Sequence, residues 1–137
     1  RKFSKKQIKT LIKISKILIK KYKIKKKNIL GHSDIAPLRK IDPGEKFPWK
    51  LLYKNKIGMW YDINLKKKKF SKKKISISNL KQFSKYLFKI GYRVDYLNFY
   101  QLKKLIKIFQ MRFRPDKVDG KLDLQCLMIA KSLKNLQ

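Results

Sequence analysis

A regular alternation of apolar and polar positions near the N-terminus is the first feature of the chain. Apolar side chains recur every three or four positions between residues 3 and 23, with lysines between them, which is the period of an amphipathic helix. Ser4 and Gln7 have the spacing of a capping box, and Phe3 and Ile8 have that of a hydrophobic staple. The pattern predicts a helix that packs on a sheet; a basic helix lying on a membrane surface is the alternative.

A short apolar run follows this helix. Residues 28–31 predict a buried strand that delivers His32 to a strand end, a common place for chemistry in α/β folds. Three prolines between residues 33 and 49 then exclude a long regular element. This stretch is therefore expected to form an ordered loop.

Three further helical patterns occupy the C-terminal part of the chain. The first runs from about Ser78 and ends near Gly91, a usual residue at a helix C-terminus. The second begins with Asn98 and Gln101 at capping-box spacing, and Asp123 is placed to cap the third. Their apolar faces comprise Leu80, Phe83, Leu87, Phe88, Leu102, Leu105, Ile106, Phe109, Phe113, Leu127, Ala130 and Leu133. The patterns predict a small three-helix bundle with one modest core.

A lysine-rich segment separates the two halves. Residues 66–77 are too polar to pack, so they predict a linker. We therefore expect two units: residues 1–65 form an α/β unit with helices on a mixed sheet, and residues 78–137 form the all-α unit.

The chain is strongly basic, with 39 Lys and Arg against 8 Asp and Glu and a formal net charge of +31. Such a balance first indicates nucleic acid or another anionic surface. Only five of the basic residues are arginines, however, and the abundance of Lys and Ile is typical of an AT-rich coding sequence. A single cysteine, Cys126, excludes an internal disulfide and a cysteine-based zinc cluster. No apolar run approaches the ~18 residues that predict a transmembrane helix.

Candidate chemistry lies in the proline-containing loop. His32 is the single histidine of the chain, and Asp42 follows ten positions later. An imidazole nitrogen and a carboxylate oxygen are donors that catalytic zinc sites use. Lys40 lies beside them and is placed to stabilise an oxyanion. The alternative is a structural His–Asp pair, with Arg39 and Lys40 as solvated charges.

The whole stretch GHSDIAPLRKIDPGEKFPW closely resembles the zinc-dependent N-acetylmuramoyl-L-alanine amidases of the phage-lysozyme-like and peptidoglycan-recognition superfamily, nearest to the outer-membrane lipoprotein type. The residues that match this motif are His32, Asp34, Ala36, Pro37, Arg39, Lys40, Asp42, Pro43, Gly44, Phe47, Pro48 and Trp49. The resemblance implies that His32 and Asp42 bind Zn²⁺ and that Lys40 is catalytic. It further implies substrate contacts by Arg39 and Asp34.

The C-terminal unit is similar to the three-helix peptidoglycan-binding module that follows the catalytic domain in this amidase type. The similar positions are Phe109, Gln110, Phe113, Arg114, Pro115, Gly120 and Asp123. The resemblance also implies a second histidine ligand and an acidic residue upstream of the motif, and this chain has no second histidine. Residues 1–65 are therefore expected to be the C-terminal half of an amidase domain.

The function implied is hydrolysis of the amide bond between N-acetylmuramic acid and L-alanine in peptidoglycan or its muropeptides. The resemblance places a monomeric enzyme in the bacterial periplasm, with possible anchoring to the outer membrane through a lipoprotein signal absent from the chain. Two alternatives remain: a truncated peptidoglycan-binding protein that cleaves nothing, and a basic nucleic-acid-binding protein.

Overall fold

The computed structural model describes residues 3–64, 75–93 and 97–136. Its helices are α1 (Lys5–Tyr22), α2 (His32–Ile35), α3 (Trp49–Lys54), α4 (Ile77–Ile90), α5 (Phe99–Phe113) and α6 (Leu124–Lys134), with a 3-10 turn at Lys26–Asn28. Most of the predicted linker lies outside the described residues, and its last residue, Ile77, begins α4.

The N-terminal helix forms as its sequence predicts. The Ser4 hydroxyl accepts a hydrogen bond from the Gln7 amide at 3.1 Å, and the Gln7 side chain accepts one from the Ser4 amide at 2.8 Å. The helix ends where Lys23 adopts a left-handed conformation with φ 50°. Because these two hydrogen bonds satisfy two of the four orphan amides of the first turn, the start of α1 is fixed by local sequence.

The predicted mixed sheet is wrong: none of the described residues forms a β-strand, and that part of the chain is helical. Ile29 does have extended backbone, but no neighbouring strand pairs with it among these residues. Its carbonyl instead accepts a hydrogen bond from Arg112 at 3.1 Å. A lone extended segment has no ladder to join, so residues 28–31 link the 3-10 turn to α2 without forming a strand.

The sheet that α1 was expected to cover is therefore not among the described residues. Part of the apolar face of α1 packs on the hydrophobic core, through Leu11, Ile12 and Ile19. The rest is exposed, including Ile17 and Tyr22. None of the helices in the described ranges is long and apolar enough to cross a bilayer.

The three C-terminal helices are confirmed. Helix α4 begins at Ile77, one residue before the predicted start, with Ser76 as its N-cap; Gly91, with φ 110°, is its C-cap. Asn98 and Asp123 cap α5 and α6 through their side-chain oxygens. Along α4, Phe88 was predicted on the apolar face but is exposed, because it lies about 100° around the helix from the buried Leu87. The side chains buried between the helices are Phe83, Leu87, Leu105, Ile106, Phe109, Phe113, Leu127, Ala130 and Leu133.

One hydrophobic core joins the loop region to these helices. Trp49 and Trp60 are buried and belong to the same cluster as Phe109 and Phe113. The Trp60 ring lies 5.9 Å from that of Phe113, measured between ring centroids. Helix α4 packs on α6, and α5 contacts both α2 and α3. The proposed boundaries of two separate units stay a prediction, and in the folded chain the two parts share their apolar interior.

Candidate functional site

The proline-containing loop folds back on itself. The amide of Ser33 donates to the carbonyl of Asp42 at 2.9 Å, which closes the loop at its base. At its far end, the carbonyl of Ala36 accepts hydrogen bonds from the amides of Arg39 and Lys40, at 3.0 and 2.9 Å. These backbone contacts bring together positions ten residues apart and explain how a loop, without a strand, pairs His32 with Asp42.

His32 Nδ1 lies 3.1 Å from Asp42 Oδ2. Both side chains are open to solvent, with 51% of His32 and 61% of Asp42 exposed. The predicted pair is thus adjacent in space, although His32 begins the short helix α2 and does not end a strand.

The pair fits two positions of a zinc site. Ligand atoms about 2.0–2.2 Å from a tetrahedral zinc ion lie roughly 3.3–3.5 Å from each other, so a separation of 3.1 Å needs little adjustment. The donors, one nitrogen and one oxygen, are of the correct type. Within the described ranges, however, no group of three His, Cys, Asp or Glu side chains is arranged to hold a metal ion. The described residues therefore provide a partial donor set.

Lys40 and Arg39 lie on the same loop, and both side chains are exposed. Both residues lie between His32 and Asp42 in the sequence, so the loop that carries the pair also carries two positive charges. The catalytic role of Lys40 and the substrate contact of Arg39 stay predictions.

Asp34, also predicted to contact substrate, is a residue of α2 in the same loop, and it is buried. One carboxylate oxygen accepts hydrogen bonds from the Gly31 amide at 2.7 Å and from Arg112 Nη1. The other accepts a hydrogen bond from the Tyr92 hydroxyl at 2.6 Å. The substrate contact is untested, whereas these hydrogen bonds show that Asp34 ties the loop to the C-terminal helices.

Sequence reasoning missed Arg112 and Tyr92. The sequence holds a weak indication of Arg112: it is one of only five arginines among 39 basic residues, and arginine is the side chain that bridges two acceptors in one plane. Burial raises the pKa of Tyr92 well above its ordinary value, and the charge of Asp34 raises it further. Tyr92 therefore stays protonated and keeps donating to Asp34.

Two surface clefts lie near the loop, and neither is lined by His32 or Asp42. The larger, of about 940 Å³, lies between the loop region and the C-terminal helices, and its lining includes Phe47, Tyr53, Asp62, Arg114 and Lys117. In the described part of the chain, the His32–Asp42 pair is thus exposed and does not line this cleft.

Comparison with known proteins fits this geometry. Residues 1–45 match the family described as N-acetylmuramoyl-L-alanine amidase. The match includes His32, Lys40 and Asp42.

Curated relatives extend the similarity beyond the loop. The N-acetylmuramoyl-L-alanine amidase AmiD of Escherichia coli (strain K12) is 35% identical over 133 residues, which are 93% of this chain and 47% of that protein. The 1,6-anhydro-N-acetylmuramyl-L-alanine amidase AmpD of Haemophilus influenzae is 49% identical over 41 residues, covering 29% of this chain and 22% of AmpD. The chain thus spans about half the length of AmiD and less of AmpD.

Solved structures show the same fold. That of AmiD from E. coli, in complex with the substrate anhydro-N-acetylmuramic acid-L-Ala-D-gamma-Glu-L-Lys, gives a TM-score of 0.86 at 34% identity, covering 98% of this chain and 53% of AmiD. That of AMPDH3 from Pseudomonas aeruginosa, in complex with anhydromuramic pentapeptide, gives 0.83 at 30% identity, covering 99% and 55%. The arrangement of the loop and the C-terminal helices is therefore shared with these amidases over about half of their length.

Proposed function

We propose that this chain is part of a zinc-dependent N-acetylmuramoyl-L-alanine amidase that hydrolyses peptidoglycan fragments during cell-wall turnover. The observation that carries the proposal is the 3.1 Å contact between His32 Nδ1 and Asp42 Oδ2, inside the residues that match the amidase family. The similarity to AmiD solved with an anhydromuramyl peptide supports the substrate class.

The reaction is the addition of water to the amide that joins N-acetylmuramic acid to L-alanine. Bound zinc supplies Lewis acidity and lowers the pKa of water to about 7. His32, through Nδ1, and Asp42, through a carboxylate oxygen, are the residues that would hold the ion. The ammonium group of Lys40 stabilises the negative charge that develops on the carbonyl oxygen. The C–N bond then breaks: the oxygen of the added water stays on the carbonyl carbon as part of a carboxylate, and a proton of that water leaves with the L-alanine amine.

Two donors from the protein hold zinc weakly, since catalytic zinc sites normally use three. The activity we propose is therefore that of a protein in which a further donor joins His32 and Asp42. The resemblance assigns this role to a second histidine.

The helices α4, α5 and α6 are proposed to bind polymeric peptidoglycan and to raise the effective concentration of the catalytic loop at the wall. Their support is the similarity to the peptidoglycan-binding module of this amidase type, together with the overlap with AmiD over nearly the whole chain. A periplasmic location follows from this substrate.

The test is zinc content and release of the peptide from an anhydromuramyl peptide, measured on the full-length protein. His32→Ala and Asp42→Ala should lose both zinc and activity. Lys40→Ala should keep zinc and lose roughly 100-fold or more in kcat. Lys50→Ala, an exposed lysine on α3, is the matched control and should change neither. Undiminished activity in the first three variants would refute the proposal.

A second candidate is a peptidoglycan-binding protein that cleaves nothing. The partial donor set in the described residues favours it. Sedimentation with purified cell wall, run beside the release assay, separates the two functions. Pelleting without release, with zinc supplied to the full-length protein, identifies the binder.

A further inference from the structure

The side chain of Arg112, on α5, contacts the proline-containing loop that carries His32 and Asp42. Its Nη1 donates to Asp34 Oδ2, and its Nη2 donates to the carbonyl of Ile29 at 3.1 Å. The guanidinium carbon also lies 3.7 Å from the ring centroid of Trp49. Only 5% of the Arg112 side chain is exposed. One side chain therefore contacts the segments before, within and after the loop.

Arginine is suited to these contacts in a way that lysine is not. The planar guanidinium donates to two acceptors in fixed directions while its face stacks on an aromatic ring. A lysine at this position would offer one compact charge and would leave either the Ile29 carbonyl or the Asp34 carboxylate without its donor. This need explains an arginine in a chain whose basic residues are mostly lysine.

The contacts of Arg112 end next to His32. Asp34 Oδ2, which Arg112 binds, also accepts from the amide of Gly31, the residue that precedes His32. Trp49, on which Arg112 stacks, packs so tightly on Gly31 that an added Cβ there would lie 3.0 Å from Trp49 Cζ2. The backbone that sets the direction of the imidazole is thus held from both sides by groups that Arg112 contacts.

We propose that Arg112 is a positioning residue for the His32–Asp42 pair. It acts through Asp34, Trp49 and the Ile29 carbonyl, and it makes the helical unit part of the catalytic apparatus. The geometric part stands on the contacts above, while the effect on metal binding and turnover rests on the proposed function.

Arg114 is a matched control. It lies two positions further along, its side chain is also 5% exposed, and its Nη1 also donates to an aspartate, Asp123. Its partners Asp123 and Gln125 belong to the C-terminal helices themselves. Replacing Arg114 therefore disturbs an arginine–aspartate ion pair whose arginine is equally buried and whose hydrogen-bonded partners are not on the loop.

The geometric part is tested by NMR on the 137-residue chain, because its single histidine gives one unambiguous set of imidazole signals. Arg112→Lys should shift the His32 Nδ1 resonance, and it should accelerate hydrogen exchange at the Gly31 amide by roughly tenfold or more. Arg114→Lys should leave both unchanged. Equal spectra for His32 in the two variants would overturn the proposal. If Arg112→Lys does not fold, Tyr92→Phe, which removes one hydroxyl donor to Asp34, is read in the same way.

The functional part is tested by Co²⁺ affinity and by kcat and KM on a soluble anhydromuramyl peptide, using the full-length protein. Arg112→Lys should weaken Co²⁺ binding or lower kcat by roughly 10- to 100-fold, the usual effect of disturbing groups that orient metal ligands. KM should change little, because the Arg112 side chain is only 5% exposed and acts through the groups that it contacts. Arg114→Lys should match the wild-type values. If the wild-type protein neither binds Co²⁺ nor cleaves, the proposed function fails. If it does both and the two lysine variants behave alike, only the role of Arg112 fails.

Discussion

In α4, α5 and α6 the buried side chains come from the helices themselves, whereas the loop that carries His32 and Asp42 takes its buried partners from elsewhere in the chain. Phe83, Leu87 and Phe109 are fully buried against one another's helices. The loop instead rests on Asp34, whose partners Tyr92 and Arg112 are 58 and 78 residues away in sequence.

The difference shows how an exposed catalytic pair can be held in place. A metal-binding pair has to face solvent and substrate, so it cannot be fixed by its own burial. Its backbone is fixed by a buried ion pair and an aromatic contact, both made by Arg112 of α5, a helix whose Leu105 and Phe109 are fully buried in the core that the two parts share. The comparison predicts an asymmetry. Substitutions that destabilise the C-terminal helices should change the conformation of the loop, while substitutions that shift the loop should leave the helices folded.

The largest expected effect is that of Phe109→Ala. Removing a fully buried phenylalanine should lower the free energy of unfolding by about 3–5 kcal/mol. Because Arg112 is on the same helix, the His32 NMR signals should change as well. Urea unfolding and the imidazole spectrum check both points. Phe88→Ala, at an exposed position of α4, is the control and should change neither.

Gly31→Ala tests whether a change in the loop affects the C-terminal helices. The new Cβ would lie 2.9 Å from Pro43 Cδ and 3.0 Å from Trp49 Cζ2, so the loop has to shift, at a cost of about 1–3 kcal/mol. Hydrogen exchange should accelerate in the loop and stay unchanged in α4 and α6. Accelerated exchange in those helices would contradict the asymmetry. Ile35→Ala, an exposed site on α2, is the control.

Asp123→Ala removes the cap of α6 and the partner of Arg114. It should lower the free energy of unfolding by about 1 kcal/mol or somewhat more. Burial alone would raise the pKa of Asp123, but the Cys126 amide and Arg114 bring it below its ordinary value. The stabilisation is therefore present above about pH 4 and is lost as the pH falls through the lowered pKa. Urea midpoints between pH 2 and 6 should depend less on pH in the variant. Asp116→Ala, which is exposed, should behave as wild type.

Alkaline pH should act on the contact between loop and helices. The pKa of Tyr92 is raised in the folded chain, first by burial and then by Asp34. A raised pKa stabilises the fold below the unfolded value of about 10, and this contribution is lost as the pH rises above it. The urea midpoint should fall as the pH rises above about 10, and Tyr92→Phe should flatten that fall. An unchanged slope would show that Tyr92 does not carry the alkaline transition.

The smallest expected effect on stability is that of His32→Ala. Half of the side chain is exposed, so the free energy of unfolding should change by no more than about 0.5 kcal/mol. The same variant should abolish metal binding if the proposed function is correct. A large loss of stability would mean that the His32–Asp42 contact holds the loop and is structural in the first place.

The helix starts followed from local sequence because each capping box satisfies its own amides within three residues. Ser4 with Gln7 and Asn98 with Gln101 form in the fold as their spacing predicts. The apolar faces of α5 and α6 were also readable, since helical periodicity selects the buried side directly.

The expectation of a sheet failed for a physical reason. A strand is defined by a partner, and an apolar run such as residues 28–31 does not reveal whether one exists in the described chain. Here the Ile29 carbonyl accepts a hydrogen bond from Arg112 and not from a neighbouring strand.

By itself, the sequence determined the capped starts of α1, α5 and α6, most of the buried faces of the C-terminal helices and the choice of His32 and Asp42 as the candidate pair, because each depends on residues close together along the chain. Only the tertiary structure decided that their side chains meet at 3.1 Å and that Asp34 is buried under them. It alone revealed Arg112 and Tyr92 as the groups that hold the loop. Those contacts join residues 58 or more positions apart. They form only when the two halves pack into one core, so the sequence near either residue does not predict them.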